Sequence, residues 1–242
     1  MSEPFYKIGV ETTYDFEYGE KKLHSRLRKT KGKSWKYWDI EKNPIIYETN
    51  RFGYRSKTVL PPTGDYFVAC GCSNTYGYSL HEEDRYSNLI ESDTNIPVIN
   101  LGVCGSGPNF IMMNLFKLLS SGLKKPKAVF IQWPMHMRMT FPTQGRSSYP
   151  GRTFLRLTAE DNNRDLDQFI RAGDTVETYS MFSFNCTINF LEQYNLKHIS
   201  FSVNNEKFFP IKQIERTDKA RDDLHMGSNS NKRIANYILE QL

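Results

Sequence analysis

The sequence is poor in cysteine and has no long apolar run, and these two features exclude several classes of protein. Only four of its 242 residues are cysteines, which does not indicate the disulfide framework of a small secreted protein. It contains no run of about 18 apolar residues, the length that spans a membrane, and its first residues lack the pattern of a secretory signal. With its abundant Lys, Asn and Tyr, the sequence therefore favours a cytoplasmic protein of a microbe or a virus.

The cysteine and glycine patterns give no indication of a metal or a dinucleotide. Cys70 and Cys72 are spaced CxC, and no second cysteine pair or histidine pair stands at zinc-finger spacing. Gly102, Gly105 and Gly107 form GxxGxG, whereas a dinucleotide-binding turn has the order GxGxxG. The sequence therefore predicts neither a metal site nor a cofactor.

Positive charge is slightly in excess, and much of the excess lies in one segment. The chain has 32 Lys and Arg against 27 Asp and Glu, a formal net charge of +5. The segment Lys21–Lys36 holds eight basic residues and no acidic one. Such a run can bind phosphates or an acidic glycan, although a charge run is more often a solvated surface. An anionic partner for Lys21–Lys36 is therefore one of two interpretations.

Residues 1–63 and residues 64–242 differ in pattern, and the difference predicts an N-terminal arm packed on one main domain. The first part is polar, basic and rich in Tyr and Trp. The second part alternates short apolar runs with helix-like stretches, which is typical of a parallel sheet covered by helices on both faces. We therefore predict an α/β fold, a three-layer α/β/α sandwich with a central parallel sheet.

Four apolar runs and four helix-like stretches define the predicted elements of this sandwich. The predicted strands are Tyr66–Cys70, Pro97–Leu101, Lys127–Trp133 and His198–Val203. The predicted helices are Arg85–Glu91, Pro108–Ser121, Val176–Tyr194 and Ser228–Leu242. Between them, residues 135–175 are predicted to form a long surface excursion, in which 140–175 could act as a lid.

Reactive groups in such a sheet gather at the carboxyl ends of the strands, and three loops there carry suitable residues. Ser73 follows the first strand, Gly105 lies in the glycine-rich loop after the second, and His225 follows Asp222 by three residues before the last helix. An aspartate so placed can orient an imidazole, and free backbone amides can bind an oxyanion. Each group alone is more often structural, but together they predict a nucleophile, an amide cradle and a base with its orienting acid.

The motifs around these residues resemble the blocks of the SGNH (GDSL-type) hydrolase family. GCSNTYG around Ser73 is similar to the first block, VINLGVCGSGPN around Gly105 to the glycine block, and RDDLHMG around His225 to the closing DxxH block. NRFGYR, at residues 50–55, is similar to a segment that precedes the nucleophile in many members. The resemblance spans about residues 47–242.

The resemblance implies a flavodoxin-like three-layer fold and ester hydrolysis through an acyl-enzyme. Ser73 would be the nucleophile, His225 the general base and acid, and Asp222 the residue that orients the imidazole. The backbone N–H groups of Ser73 and Gly105 would stabilise the oxyanion.

The sequence departs from the family pattern in two places. Cys72 stands where the GDS motif has aspartate, a change that leaves the predicted triad intact. More seriously, the segment after the third strand, residues 130–136, lacks the asparagine of the GxND block. We expect the missing side-chain donor to be replaced by Gln132 or by Asn109.

The sequence therefore predicts a serine ester hydrolase, with a small-molecule or glycan ester as its substrate and O-acyl, especially acetyl, groups of a carbohydrate preferred. The preference for a carbohydrate substrate is based on the substrates that are common in the family and on the aromatic, basic arm. Two alternatives stay open: a non-catalytic binding or assembly protein that retains the fold, and an O-acyltransferase that uses the same serine.

Overall fold

The computed structural model describes most of the predicted main domain and part of the predicted arm. The described residues are 12–14, 44–57, 64–135, 138–142, 154–158, 175–203, 208–222 and 224–242. The basic segment Lys21–Lys36 and most of the predicted excursion at 135–175 lie outside these residues. The division into an arm and a main domain stays a prediction.

The secondary structure of the described residues alternates strands with helices from residue 67 onward. The strands are β1 (Thr12–Tyr14), β2 (Tyr47–Thr49), β3 (Phe67–Cys70), β4 (Val98–Asn100), β5 (Ala128–Gln132), β6 (Arg138–Pro142), β7 (Phe154–Thr158), β8 (Lys197–Ser202) and β9 (Lys212–Gln213). The helices are α1 (Ser73–Tyr76), α2 (Tyr86–Thr94), α3 (Pro108–Leu119), α4 (Thr175–Gln193) and α5 (Ser228–Gln241), with a 3₁₀ turn at Glu82–Asp84.

A five-stranded sheet with the order β4-β3-β5-β8-β9 forms the centre of the molecule, and each neighbouring pair is parallel. Numbered along the chain, this is the order 2-1-3-4-5 of a flavodoxin-like sheet. The strand order reverses between β3 and β5, because β4 pairs on one side of β3 and β5 on the other. Open sheets of this kind bind their ligands at the carboxyl ends of the strands beside that reversal.

The two faces of the sheet bury two separate clusters of apolar side chains. Val68 and Cys70 point into one cluster, whereas Phe67 and Ala69 point into the other, as the two-residue period of a strand requires. Helices α3 and α4 cover the first face, and α2 and α5 cover the second. The predicted three-layer α/β/α fold is therefore confirmed.

The predicted elements of the sandwich agree with the observed ones to within one to three residues at each end. The sequence missed the short elements instead: the helix α1, the last strand β9 and the antiparallel pairs β1–β2 and β6–β7. These missed elements have only two to five residues and lack the continuous apolar run that made the equally short strands β3, β4 and β5 recognisable.

Residues 44–57, which the sequence assigns to the arm, are largely buried. Tyr47, Tyr54 and Arg55 are almost completely inaccessible to solvent. NRFGYR folds as a turn in which Asn50 accepts hydrogen bonds from the backbone N–H groups of Phe52 and Tyr54. Among all the residues described above, no helix is both long enough and apolar enough to cross a membrane.

Candidate active site

The structure brings Ser73, His225 and Asp222 into one hydrogen-bonded chain. Ser73 Oγ lies 2.8 Å from His225 Nε2, and His225 Nδ1 is hydrogen-bonded to Asp222 Oδ2. Ser73 and His225 are 152 residues apart in sequence and meet because β3 and the loop before α5 both end at the same edge of the sheet. The Asp222 side chain is 2% exposed and the His225 side chain 22% exposed, so the acid is buried while the imidazole can reach a substrate.

A local turn holds the carboxylate of Asp222 in place. Its Oδ1 accepts hydrogen bonds from the backbone N–H groups of Leu224 at 3.1 Å and His225 at 3.0 Å, which leaves Oδ2 for the imidazole. Burial favours the neutral acid, but the hydrogen bonds and charge of His225, with the two backbone N–H groups, hold the pKa of Asp222 below its usual range. The three-residue spacing of DxxH is what permits this turn.

The ionised carboxylate fixes the tautomer of the neutral imidazole. A carboxylate can only accept, so Nδ1 of His225 carries the hydrogen and donates it to Asp222. Nε2 then holds a lone pair and accepts the hydrogen of Ser73 Oγ. The serine hydroxyl is therefore aligned with a base that can remove its proton.

The strand exit that carries Ser73 is closely packed around Gly71. A Cβ atom at Gly71 would lie 2.0 Å from Thr75 Oγ1 and 2.9 Å from the carbonyl oxygen of Gln132. Thr75 Oγ1 donates to Gln132 Oε1 at 2.6 Å, so α1 is attached directly to the end of β5. This packing leaves Ser73 as the partly exposed first residue of α1.

The glycine-rich loop after β4 is anchored to the same strand exit. Val103 N–H and Ser106 Oγ both donate to the carbonyl oxygen of Gly71, each at 3.1 Å. Gly102 donates its N–H to Asn100 Oδ1 at 2.9 Å, so that group is already occupied. Gly105 adopts a left-handed backbone with φ of 78°, a conformation that favours glycine.

The backbone N–H groups of Ser73 and Gly105 have no acceptor within the described part of the chain. They are the two backbone donors that the sequence resemblance implies for an oxyanion. The N–H of Gly102, in contrast, donates to Asn100, and the role of Ser73 and Gly105 as oxyanion donors stays a prediction.

The two predicted side-chain donors, Gln132 and Asn109, form other contacts. Gln132 is 1% exposed; its Oε1 accepts from Thr75, and its Nε2 lies 3.9 Å from Met226 Sδ. Asn109 Nδ2 donates to the carbonyl oxygen of Thr140 at 2.7 Å, and its Oδ1 accepts from the Thr140 N–H at 3.0 Å. Asn109 therefore fastens β6 to α3, and Gln132 supports α1, while a role of either amide as an oxyanion donor stays a prediction.

Sequence reasoning missed the residues that surround the imidazole. The ring of Tyr78 lies beside that of His225, with their centroids 4.7 Å apart. Arg221, which precedes Asp222, has its Nη2 2.9 Å from His81 Nε2. Tyr78 and His81 both belong to residues 77–81, directly after α1. The only signal for them in the sequence is their closeness to Ser73.

Acidic, cysteine and histidine side chains are common metal ligands in proteins. Among the described residues, no three or more of these side chains are grouped so that they could hold a metal ion.

Several solved structures are similar to this chain, and three of them illustrate the likeness. A member of the lipolytic protein G-D-S-L family from Veillonella parvula DSM 2008 is 11% identical, with 73% of this chain and 97% of that chain covered and a TM-score of 0.41. The psychrotrophic esterase EstA from Pseudoalteromonas sp. is 13% identical, with 73% and 96% covered and a TM-score of 0.43. The acetyl xylan esterase Est2A from the rumen bacterium Butyrivibrio proteoclasticus is 11% identical, with 83% and 66% covered and a TM-score of 0.44.

One of these three is a lipolytic protein of the G-D-S-L family, and the other two are esterases. The G-D-S-L family is the one that the motifs around Ser73, Gly105 and His225 resemble. No protein-family model and no curated protein matches the chain.

Proposed function

We propose that this protein is a serine ester hydrolase that works through an acyl-enzyme. The observation that carries the proposal is the 2.8 Å contact between Ser73 Oγ and His225 Nε2, with Asp222 bound to the other ring nitrogen. This arrangement supplies a nucleophile, a base with a free lone pair, and an anion that stabilises the base after it gains a proton.

The first half of the reaction forms the acyl-enzyme. Ser73 Oγ attacks the carbonyl carbon of the ester while its proton passes to His225 Nε2. Asp222 stabilises the resulting imidazolium through the hydrogen bond at Nδ1. The tetrahedral intermediate then breaks its bond to the leaving oxygen, which takes the proton from Nε2 and departs as an alcohol.

The second half of the reaction releases the acid. Water occupies the position that the alcohol has left, and Nε2 of His225 removes a proton from it as it attacks the acyl carbon. The second tetrahedral intermediate breaks the bond to Ser73 Oγ, which recovers the proton from Nε2. The products are one carboxylic acid and the free serine.

We assign the stabilisation of both oxyanions to the backbone N–H groups of Ser73 and Gly105. Each lacks an acceptor within the described part of the chain, and a hydrogen bond to a developing anion is stronger than one to a neutral carbonyl. Loss of a single donor costs about 10²–10³ in rate in other hydrolytic enzymes. We therefore expect a slower enzyme than one in which an asparagine supplies a further donor.

The proposed substrate is an O-acetylated carbohydrate. The support comes from the sequence: the resemblance to a family with many carbohydrate esterases, and the basic, aromatic segment around Lys21–Lys36, which could bind a glycan. An acyltransferase would use the same acyl-enzyme with a sugar hydroxyl in place of water, so product analysis with and without an acceptor sugar separates hydrolysis from transfer.

The proposal is tested by hydrolysis of p-nitrophenyl acetate and of an acetylated oligosaccharide by the purified protein. The wild-type protein should release acetate from both, and Ser73→Ala should reduce the rate by at least about 10³-fold. Ser120→Ala is the matched control, because Ser120 is an exposed serine at the far end of α3. Circular dichroism and Tm of the Ser73→Ala protein should match those of the wild type. Equal activity in Ser73→Ala and wild type would reject the proposal.

A further inference from the structure

The imidazole of His225 has an aromatic neighbour in addition to its hydrogen-bond partners. The ring of half-buried Tyr78 lies with its centroid 4.7 Å from that of the imidazole, and the two ring planes are inclined by 37°. Asp222 and Ser73 each bind one nitrogen at the edge of the imidazole. Contact with a second ring restricts rotation of the imidazole away from the line between these two partners.

Tyr78 belongs to residues 77–81, which we call the 77–81 loop, and this loop also contacts Arg221 on the chain segment before His225. The Arg221 N–H lies 3.5 Å from the carbonyl oxygen of Ser79, and Arg221 Nη2 lies 2.9 Å from His81 Nε2. Desolvation and the charge of Arg221 lower the pKa of His81, so its neutral ring can accept from the guanidinium. The loop therefore lies against the residues on both sides of Asp222.

A buried tyrosine from residues 44–57 supports the 77–81 loop from behind. The hydroxyl of Tyr47 accepts a hydrogen bond from the Ser79 N–H at 2.9 Å. The ring of Tyr47, which is completely buried, lies with its centroid 6.4 Å from that of Tyr78 and 6.1 Å from that of Tyr76. Tyr47 therefore contacts the loop through both its hydroxyl and its ring.

A buried arginine from the same segment fixes both ends of the loop. The guanidinium of Arg55 donates to the carbonyl oxygens of Gly77 and Leu80, at 2.5 Å and 2.9 Å. It also lies over the ring of Tyr47, 4.3 Å from the ring centroid. One charged group thus joins the backbone of the loop to the tyrosine that supports it, and a buried hydrogen bond from a charged group is among the strong ones.

We propose that Tyr78 is a positioning residue for His225 and that Tyr47 and Arg55 hold Tyr78 in place. The proposal rests on the proposed esterase function of the site. It makes residues 44–57 part of the catalytic machinery, although the sequence separates them from the main domain. A misplacement of a reacting group by about 1 Å can cost about 10²-fold in rate, which is the size of effect that a support of this kind can control.

The kinetic test compares three variants of one position with the wild type. Tyr78→Ala should lower kcat by about 10- to 100-fold and change KM by less than about 3-fold, because it displaces the base and not the substrate. Tyr78→Phe should restore kcat to within about 3-fold of the wild type, because the ring and not the hydroxyl makes the contact. Tyr78→Leu fills part of the space without an aromatic face and should fall between the two.

A spectroscopic test reports on the contact without requiring activity. The ring protons of His225 are observed by NMR of histidine-labelled protein. Their chemical shifts should change in Tyr78→Ala and stay close to the wild-type values in Tyr78→Phe. Tyr47→Phe, which removes the hydroxyl that binds Ser79, should produce a smaller shift. These signals would change even if the wild-type protein hydrolysed no ester, so failure of this proposal and failure of the esterase proposal are distinguishable.

The matched control is Tyr194→Ala. Tyr194 is a half-buried tyrosine that packs on Phe190 and Lys125 at the opposite edge of the sheet, so it should leave kcat and the His225 signals unchanged. Wild-type kcat together with unshifted His225 signals in Tyr78→Ala would overturn the proposal. A defect confined to KM, or a Tyr78→Phe protein as impaired as Tyr78→Ala, would also overturn it, because the ring would then not be positioning the base.

Discussion

The chain segments that follow β3 and β5 lie side by side at one edge of the sheet, yet among their described residues only the first segment presents a reactive group. β3 and β5 are hydrogen-bonded neighbours whose last paired residues are Cys70 and Ile131. After β3 comes the partly exposed Ser73, aligned with His225. At the end of β5, Gln132 is 1% exposed and hydrogen-bonded to Thr75. Up to residue 135, where its description ends, the second segment therefore supports the first and adds no reactive group of its own.

This difference shows how the site can function without the asparagine that its sequence lacks. In the residues after β5, Trp133 continues the apolar core, where its ring packs on those of Phe184 and Phe209. The polar support that remains is directed at α1, and it holds the backbone N–H of Ser73 in place. The proposed oxyanion donors are therefore backbone groups whose positions depend on packing around Gly71.

The largest expected effect on kcat comes from Asp222, which orients the base that activates Ser73. Asp222→Asn should lower kcat by about 10⁴-fold, because an amide in place of the carboxylate favours the wrong imidazole tautomer. The measurement is kcat for p-nitrophenyl acetate, with Tm as the control for folding. If Asp222→Asn kept more than about a tenth of the wild-type kcat, Asp222 would not be orienting the base.

The next effect comes from filling the space between the two segments. Gly71→Ala places a Cβ atom 2.0 Å from Thr75 Oγ1, so α1 must move away from β5. We expect a loss of about 1–3 kcal/mol in the free energy of unfolding and a drop in kcat of about 10²-fold. Urea unfolding measures the change in the free energy of unfolding, and ester hydrolysis measures the change in kcat.

Gly64→Ala is the matched control for Gly71→Ala. A Cβ atom at Gly64 meets nothing within 4 Å, so this variant should keep both stability and activity. Equal behaviour of the two glycine variants would contradict the close packing described for the strand exit.

A smaller and more selective effect is expected at the end of β5. Gln132→Met removes the acceptor of the Thr75 hydroxyl hydrogen, although Thr75 Oγ1 still accepts from the Tyr86 hydroxyl. Leaving a buried donor without an acceptor costs about 1–3 kcal/mol of stability. The kcat should fall by less than about 10-fold. A drop of about 10²–10³-fold without loss of stability would instead identify Gln132 as an oxyanion donor.

The smallest expected effect concerns the titration of His81, which lies a few residues after Ser73, and the resulting pH dependence of the free energy of unfolding. The pKa of His81 is lowered by desolvation and by Arg221, against the opposing charges of Glu83 and Asp84, while Arg55 lowers it further. Below a pH of about 6.5 the unfolded chain therefore gains a proton at this position before the folded chain does. The free energy of unfolding falls as the pH drops through this range, until the lowered folded pKa is reached.

His81→Gln should remove part of this acid sensitivity, because glutamine does not titrate and can still accept from Arg221. Urea unfolding at pH 7.5 and 5.5 measures the difference. A residual fall is expected, because burial also lowers the pKa of His198. Asp222, whose pKa is held low, contributes stability that is lost only at more acidic pH. An identical pH dependence in His81→Gln and wild type would contradict this role of His81.

Most of the fold could be predicted from the sequence because its main elements are long or fully apolar. Val129 and Phe130 in β5, for example, are completely buried and carry an unmistakable strand pattern. The meeting of Ser73 with His225 followed from the rule that parallel strands end at one edge of the sheet. The DxxH spacing also predicted that Asp222 orients the imidazole of His225.

The remaining contacts of the site could not be predicted, because the sequence does not show which of several similar side chains is already bound to a buried partner. Gln132 and Asn109 looked equally free in the sequence, and only the positions of Thr75 and Thr140 show that both amides are engaged. Tyr47 and Arg55 lie in a stretch without periodicity, so no sequence pattern indicated their contacts with residues 77–81. Contacts between irregular segments are set by tertiary packing and not by local sequence.

The central claim is that Ser73 is a nucleophile activated by His225, and a fluorophosphonate probe tests it most directly. Intact-protein and peptide mass spectra should show a single covalent adduct on Ser73 in the wild-type protein. The adduct should be absent from Ser73→Ala and form much more slowly in His225→Ala. A folded wild-type protein that gains no adduct, or an adduct on another residue that persists in Ser73→Ala, would contradict the account.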